Sequence, residues 1–178
     1  MEVKFNNKEN EKIETNNKVY WISRSVAVVG IVCLIKDNIP HFLIIKRGKG
    51  AADFHGMFCL PCGYLDWDEN SWECFIREVY EESGIYVLPL VEKLEGDSEK
   101  IKFPIDVNTD ISSNRQNVTI YHGFILNVDE LPIPNIKNDV EEDEVEEVKW
   151  VSINDYKSFE FAFGHKEKIE KFINKNNL

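Results

Sequence analysis

The sequence has no long apolar run: none of its uninterrupted apolar stretches reaches the roughly 18 residues that a membrane-spanning helix needs. Its first residues, MEVKFNNKENEKIETNNK, contain several acids and no apolar stretch, which is not the pattern of a secretory signal peptide. These two absences exclude the common sequence signals of membrane and secreted proteins. We therefore predict a cytoplasmic location with no membrane partner.

Basic residues are in the minority, because 21 Lys and Arg stand against 32 Asp and Glu and the formal net charge is −11. Duplex nucleic acid as the main partner calls for a basic face, so this class of function is not expected. An acidic protein that acts on an anionic small molecule needs a cation to offset the charge. Bound Mg²⁺ or Mn²⁺ would do so, and both ions prefer oxygen ligands.

Cysteine is scarce: the chain has four, and two of them, Cys59 and Cys62, form a CxxC pair. His55 precedes the pair, but a zinc site would need a second ligand pair at a suitable spacing, and the sequence offers none. The flanking residues do not resemble those of a thioredoxin-like redox motif. We therefore predict free, buried or half-buried thiols in a reducing compartment, with a metal or redox role for the pair as the alternative.

The chain alternates between extended and helical patterns, which is typical of one α/β domain. Residues 1–20 are rich in Asn, Lys and Glu and are predicted to form a polar tail or a loosely attached first strand. Residues 21–178 are predicted to form the domain. Its predicted strands are the apolar runs at 25–35, 41–47, 117–128 and 148–153, residues 85–96 are also expected to be extended, and its predicted helices cover 68–83 and 165–175.

The helix predicted after residue 68 carries an ordered set of acids. At about 100° per residue, Glu78, Glu81 and Glu82 fall on one face of this helix, beside an apolar face that would pack on a sheet. A solvated acidic helix would explain the charge but not this order, because like charges at such spacings repel one another. A divalent cation among them would remove the repulsion, and carboxylate oxygens suit Mg²⁺ or Mn²⁺.

The same stretch contains a longer motif. From Gly63 to Ile85 the chain reads GYLDWDENSWECFIREVYEESGI, which resembles the Nudix box, Gx5Ex7REUxEExGU, where U is a bulky aliphatic residue. Every fixed position is filled, by Gly63, Glu69, Arg77, Glu78, Glu81, Glu82 and Gly84, with Val79 and Ile85 at the aliphatic places. The resemblance covers roughly residues 24–173 and implies the Nudix fold, an α/β/α sandwich around a central mixed β-sheet. One departure is Cys62, where many members have a second glycine.

The resemblance also implies an activity. Nudix enzymes use divalent cations, here Mg²⁺ or Mn²⁺, to hydrolyse a nucleoside diphosphate that is linked to another moiety. Carried over to this chain, the implied metal ligands are the carboxylates of Glu78, Glu81 and Glu82 and the backbone carbonyl of Gly63.

Other roles in the box are implied in the same way. Arg77 is expected to pair with Glu69 and to hold the loop against the helix without touching the cation. A carboxylate outside the box often acts as a ligand or base in this family. Glu144 is our candidate, with Glu141 and Glu142 as alternatives.

Substrate-binding residues are less marked in the sequence. Arg47 and Lys49 precede the box and are candidates for contacts with phosphate oxygens, or are ordinary surface cations. Phe54 is a candidate for stacking on a base, as are Phe58 and Trp67, although aromatic residues near a hairpin often belong to the core. The remaining candidates, each with a purely structural alternative, are His165, Gln116 and Asn117.

Features that mark particular Nudix subtypes are missing after the box. The proline of ADP-ribose hydrolases is absent from its place, since Pro104 lies farther along. We therefore expect a generic hydrolase of a (deoxy)nucleoside triphosphate or a nucleotide sugar, and leave a homodimer open. Two alternatives also stay open: a non-catalytic Nudix domain that binds or senses a nucleotide, and an isoprenoid diphosphate isomerase, which would need a catalytic cysteine.

Overall fold

The computed structural model describes residues 10–92, 100–111, 116–136 and 143–178. The strands are β1 (Glu11–Thr15), β2 (Lys18–Ile22), β3 (Val26–Lys36), β4 (Ile39–Arg47), β5 (Phe58–Cys59), β6 (Cys62–Tyr64), β7 (Asp106–Asn108), β8 (Val118–Asn127) and β9 (Val145–Ser152). The helices are α1 (Ser71–Ser83), α2 (Leu88–Val91) and α3 (His165–Asn176), with short 3₁₀ turns at Lys100–Lys102 and Tyr156–Ser158.

Strand β3 is central to the main sheet, which has seven strands. It pairs antiparallel with β4 and parallel with β8, so the sheet is mixed, as predicted. Strand β9 extends the sheet beyond β4, and β7 extends it beyond β8. The nearly continuous apolar sequence of β3 fits this position, because a strand that is covered on both faces has no solvent side.

Two short strands fill the place where β3 and β4 separate. Strand β3 pairs with β4 at Cys33–Lys36 but with β6 at Ala27–Val29, while β5 pairs with the end of β4. The backbone N–H of Gly30 donates to the carbonyl of Pro61 at 2.8 Å. The CLPC turn that joins β5 to β6 is therefore fixed inside the sheet rather than carried on a free loop.

Helices cover both faces of the sheet. Phe75 of α1 packs in the same core cluster as Val28 of β3, and Phe172 of α3 packs in the same cluster as Val29. Since neighbouring residues of a strand point to opposite faces, α1 and α3 lie on opposite sides of the sheet. The predicted α/β/α sandwich with a central mixed β-sheet is confirmed.

One predicted element is wrong. Residues 85–96 were expected to be extended, but Leu88–Val91 form the helix α2. Pro89 lies in the first turn of α2, where its missing N–H is not needed. A short apolar run such as LPLV does not distinguish a strand from a buried helical turn. The other predicted strands and helices lie within three residues of their expected bounds.

Strands β1 and β2 form a separate two-stranded ribbon, and all of their residues are exposed. Residues 10–20, predicted to belong to a polar tail or a loosely attached first strand, contain β1 and part of β2, and residues 1–9 lie outside the described ranges. The predicted domain boundary falls within β2, and it stays a prediction, as does the homodimer. No helix in the described ranges has both the length and the apolar character to cross a membrane.

Candidate functional site

Capping interactions at both ends of α1 define where the helix begins and ends. The side chain of Asn70 accepts hydrogen bonds from the backbone N–H groups of Trp72 and Glu73, and Glu73 accepts one in return from the N–H of Asn70 at 2.8 Å. This reciprocal capping box starts the helix at Ser71. At the other end Gly84 has φ of 68°, a left-handed conformation that glycine adopts without steric cost.

Arg77 ties the acidic face of α1 to the loop before it. Its Nε and Nη2 donate to the two carboxylate oxygens of Glu69 at 3.1 and 2.7 Å, and Nη2 also donates to the carbonyl of Tyr64 at 3.1 Å. Its Nη1 donates to Oε1 of Glu78 at 2.6 Å and to Oε2 of Glu81 at 3.0 Å. The hydrogen bonds from Arg77 lower the pKa of Glu69 to about 2.

Two carboxylates of the acidic face are withdrawn from solvent. Glu82 is 4% exposed, and its Oε2 accepts a hydrogen bond from the backbone N–H of Cys62 at 2.9 Å. Burial raises the pKa of Glu78 to about 7 and raises the pKa of Glu82 well above its usual range. A cation beside these groups would favour their charged forms and so offset the cost of their burial.

Gly63 is packed against the carboxylate of Glu78. A Cβ atom at this position would lie 2.0 Å from Oε1 of Glu78, so only a residue without a side chain leaves space for that carboxylate. The carboxylates of Glu78, Glu81 and Glu82 are hard oxygen donors, and the backbone carbonyl of Gly63 stays a predicted further one. Arg77 contacts one oxygen of Glu78 and one of Glu81, which leaves each carboxylate a second oxygen. Oxygen donors of this type are the ones that Mg²⁺ and Mn²⁺ prefer.

A cavity of about 630 Å³ opens beside these residues, and Gly63 and Cys62 belong to its wall. Arg47 also belongs to this wall, and its guanidinium donates to the backbone carbonyl of Asp53 at 2.8 Å and to Oδ1 of the same residue at 3.3 Å. The cavity is further lined by Phe54, Tyr64, Asn108, Asp110, Asn117, Thr119, Tyr121, Glu144, Phe163 and His165, among others. Its volume is in the range of sites for small ligands.

A family model of the NUDIX domain matches residues 24–172. The chain belongs to the NUDIX family. Among curated proteins, an ADP-ribose pyrophosphatase of Methanocaldococcus jannaschii is 38% identical over 76 residues. The match covers 43% of this chain and 40% of that protein, so the aligned part is less than half of this relative.

Solved NUDIX structures share the fold of the chain. The NUDIX domain of Shewanella oneidensis NrtR, in complex with ADP-ribose, superposes with a TM-score of 0.60 at 17% identity, covering 86% of this chain and 88% of that one. A bifunctional NMN adenylyltransferase/ADP-ribose pyrophosphatase from Francisella tularensis, complexed with AMP and a Mn ion, gives a TM-score of 0.59 at 24% identity, covering 86% of this chain and 42% of that one. At these identities the likeness shows the fold.

The predicted residues outside the Nudix box have different placements. Arg47 and Glu144 line the cavity, and the backbone carbonyl of Glu144 accepts a hydrogen bond from Gly48 at 2.7 Å. Lys49 is exposed on the loop after β4. Residues 141 and 142, the alternatives to Glu144, lie outside the described residues. The roles assigned to these side chains stay predictions.

Only one of the three aromatic candidates lines the described cavity. Phe58 is buried in the core on the α3 side, and Trp67 is 94% exposed. Phe54 lies in the cavity wall with Phe163, and their rings meet edge to face at 4.8 Å between centroids. The aromatic run FAF before α3 was the available signal for Phe163, but no local spacing in the sequence connects it to Phe54, which lies far earlier in the chain.

The CxxC pair has a third potential ligand that its local sequence does not show. The Sγ atoms of Cys59 and Cys62 and a ring nitrogen of His165 all lie within 4.8 Å of one another. All four cysteines are free, and three are buried while Cys62 is half-buried, as predicted. Cys74, which the isomerase alternative could use as its catalytic cysteine, lies on the buried face of α1, and burial raises the pKa of its thiol.

Proposed function

We propose that this chain is a divalent-metal-dependent hydrolase that cleaves a phosphoanhydride bond in a nucleoside diphosphate derivative. The observation that carries this proposal is the arrangement of two carboxylates beside a cavity of about 630 Å³: Glu82 is buried and accepts a hydrogen bond from the backbone N–H of Cys62, and the half-buried Glu78 packs against Gly63. Burying charged carboxylates costs free energy when no cation is bound. The carboxylates of the box are suited to bind such a cation.

Each residue of the site has a proposed task. Glu78, Glu81 and Glu82 would hold the cations, which when bound would offset the charge of a polyphosphate and acidify a water molecule. Arg77 positions Glu78 and Glu81 through the hydrogen bonds from its Nη1. Glu144, in the wall of the cavity, is the proposed acceptor of the proton from the attacking water.

Within this class, a nucleotide sugar of the ADP-ribose type is the substrate that we propose first. The curated relative that is 38% identical over its matched stretch is an ADP-ribose pyrophosphatase, which weighs more than the absence of a subtype proline. Phe54 and Phe163 are residues that are 45% and 37% exposed, and exposed aromatic side chains can stack on a base. Arg47 is the cation in the cavity wall that could meet a phosphate oxygen.

The test is an assay of the purified chain with ADP-ribose, UDP-glucose, ATP and dGTP, each with Mg²⁺ or Mn²⁺ and each repeated with EDTA. Hydrolysis of the phosphoanhydride bond of ADP-ribose yields AMP and ribose 5-phosphate, which mass spectrometry distinguishes from substrate. We expect these products with metal and none with EDTA. Cleavage of the triphosphates alone would move the substrate to that class. Binding of ADP-ribose without turnover of any substrate would favour a sensing domain and contradict the hydrolase.

A further inference from the structure

Three side chains in the cavity region have no task in the proposed hydrolysis. Cys59 and His165 are buried, Cys62 is half-buried, and their donor atoms lie within 4.8 Å of one another. We propose that Cys59, Cys62 and His165 form a second metal site, for a borderline-soft divalent transition ion such as Zn²⁺, separate from the oxygen site of the box.

The donor chemistry distinguishes the two sites. Thiolate sulfur and imidazole nitrogen are preferred ligands of Zn²⁺, whereas Mg²⁺ takes oxygen ligands. Two thiolates and one imidazole leave one position open in a tetrahedral site. Cys62 and His165 both line the cavity, so a water molecule or a ligand could reach that position.

The backbone holds the three donors in place from two directions. Cys59 pairs with Ile45 of β4, and Cys62 pairs with Val29 of β3, so both cysteines belong to the main sheet. His165 is the first residue of α3. This helix packs through Ile169 in the core cluster that Cys62 also contacts. A site built on strands and a helix requires little ordering when the ion binds.

The ring of His165 is already in the form that binds a metal. The backbone N–H of Leu60, which lies between the two cysteines, donates to Nδ1 of His165 at 3.0 Å. Nδ1 therefore carries a lone pair, faces the CxxC turn and has no proton to lose. Burial, assisted by Arg47, lowers the pKa of His165 to about 3, so the ring is neutral near pH 7. An ion at Nδ1 would displace an amide donor rather than a proton.

The surrounding charges suit a divalent ion. Cys59 and burial raise the pKa of the Cys62 thiol, so metal binding would release the thiol protons to solvent, and the two thiolates would then balance the charge of the ion. Arg47 contacts Cys59 and adds a positive charge, and the carboxylate of Asp53, 3.3 Å from Arg47, offsets it. The cluster would thus be close to neutral, which is the condition for holding an ion in a largely buried place.

The proposal is tested by titrating the reduced protein with Co²⁺ in the presence of excess Mg²⁺, which competes for the oxygen site. We expect a thiolate-to-cobalt charge-transfer band and the visible absorption of tetrahedral Co²⁺, both saturating at one equivalent and both lost on addition of Zn²⁺. Cys33→Ala is the matched control, because Cys33 is a buried thiol in β3 that does not belong to the cluster. The Co²⁺ spectrum of this variant should equal that of the wild type.

Variants of the ligands decide the assignment. Cys59→Ser combined with Cys62→Ser should abolish the charge-transfer band. His165→Asn retains an acceptor for the Leu60 amide, so the fold is expected to persist while Co²⁺ affinity falls at least about 10-fold. Absence of the band in the reduced wild type, or an unchanged band in the double variant, would overturn the proposal. The spectrum is read without substrate, so failure of the hydrolase assay leaves this test intact.

Discussion

Two groups of side chains meet at Cys62 and Gly63, and they are built in different ways. We call the carboxylates of α1 the acidic wall, and Cys59, Cys62 and His165 the thiol–imidazole wall. The acidic wall comes from a single helix, since Glu78, Glu81 and Glu82 lie on consecutive turns of α1. The thiol–imidazole wall combines β5, β6 and α3, and the hydrogen bond that joins them, from Leu60 to His165, spans 105 residues of sequence. One wall depends on local helix geometry, and the other exists only once α3 has packed on the sheet.

Burial disfavours the charged forms of Glu82 and of His165 alike, although it shifts their pKa values in opposite directions. It raises the pKa of Glu82 and lowers the pKa of His165, because in each case it disfavours the charged form. Burial alone therefore suits the imidazole as a ligand and opposes the carboxylate, and Cys59 together with burial raises the pKa of the Cys62 thiol in the same unfavourable sense. We infer that the carboxylates depend more strongly on a bound cation than the imidazole does, and the following predictions test the acidic side of this difference.

The largest expected effect is on turnover. Glu82→Gln should lower kcat for Mg²⁺-dependent hydrolysis by at least about 100-fold, because the variant removes a charge-stabilising carboxylate from the site. The amide oxygen of Gln can still accept the N–H of Cys62, so folding should be retained. Steady-state kinetics with ADP-ribose measures the effect. Glu92→Gln, an exposed position after α2, is the control, and a near-normal rate for Glu82→Gln would refute the role of Glu82.

The second effect is on stability. Arg77→Gln should reduce the free energy of unfolding by about 2 kcal/mol, because Glu69, Glu78 and Glu81 would lose their shared partner. Urea unfolding measures it, and Mg²⁺ should restore part of the loss by replacing the missing positive charge. Lys46→Gln removes an exposed ion pair with Glu146, and it should cost far less than Arg77→Gln because solvent screens this pair. Equal losses in the two variants would contradict this account.

The third effect is on metal affinity. Gly63→Ala places a methyl group where Oε1 of Glu78 lies, 2.0 Å from the ideal Cβ position, so the carboxylate must move. The Mg²⁺ concentration for half-maximal activity should rise by about 10-fold, in the range seen when a ligand loses its support. The Co²⁺ charge-transfer band should persist, since its donors are sulfur and imidazole. An unchanged Mg²⁺ requirement would show that the oxygen site does not involve this carboxylate in its present position.

The difference between the walls also explains what could be predicted from the sequence. The acidic face of α1 was predictable because the spacing of Glu78, Glu81 and Glu82 is a property of one helix. The strands of the sheet were predictable from the apolar runs, and their mixed arrangement only from the resemblance. The burial of Glu82 was not predictable. The periodicity of the helix places this residue at the border between core and solvent, whereas the packing of α1 on β6 leaves it 4% exposed.

Contacts between distant segments were out of reach for the same reason. His165 and Phe163 approach Cys62 and Phe54 only because α3 and the segment before it pack beside β5 and the loop after β4. No local spacing encodes such contacts. The helix α2 was missed for another reason, since a four-residue apolar run has too few positions to show a period.

The smallest expected effect concerns the other side of α1. His122 of β8 is fully buried against Trp72 and Phe75 of this helix, and its Nε2 lies 3.0 Å from Oγ of Ser71. Its Nδ1 has no hydrogen-bond partner among the described residues. Burial lowers the pKa of His122 to about 4, so the unfolded chain, with an ordinary pKa of about 6.5, binds a proton first as the pH falls.

Stability should therefore decrease as the pH falls from about 6.5 towards 4, and the share due to His122 should be about 1 kcal/mol between pH 7 and pH 5.5. His122→Phe removes the titrating group and the unpartnered nitrogen, so the difference in unfolding free energy between wild type and variant should change by this amount over that interval. His165 contributes equally to both proteins and cancels. If the unfolding free energies of the wild type and the variant changed in parallel with pH, α1 would not pack on a neutral His122.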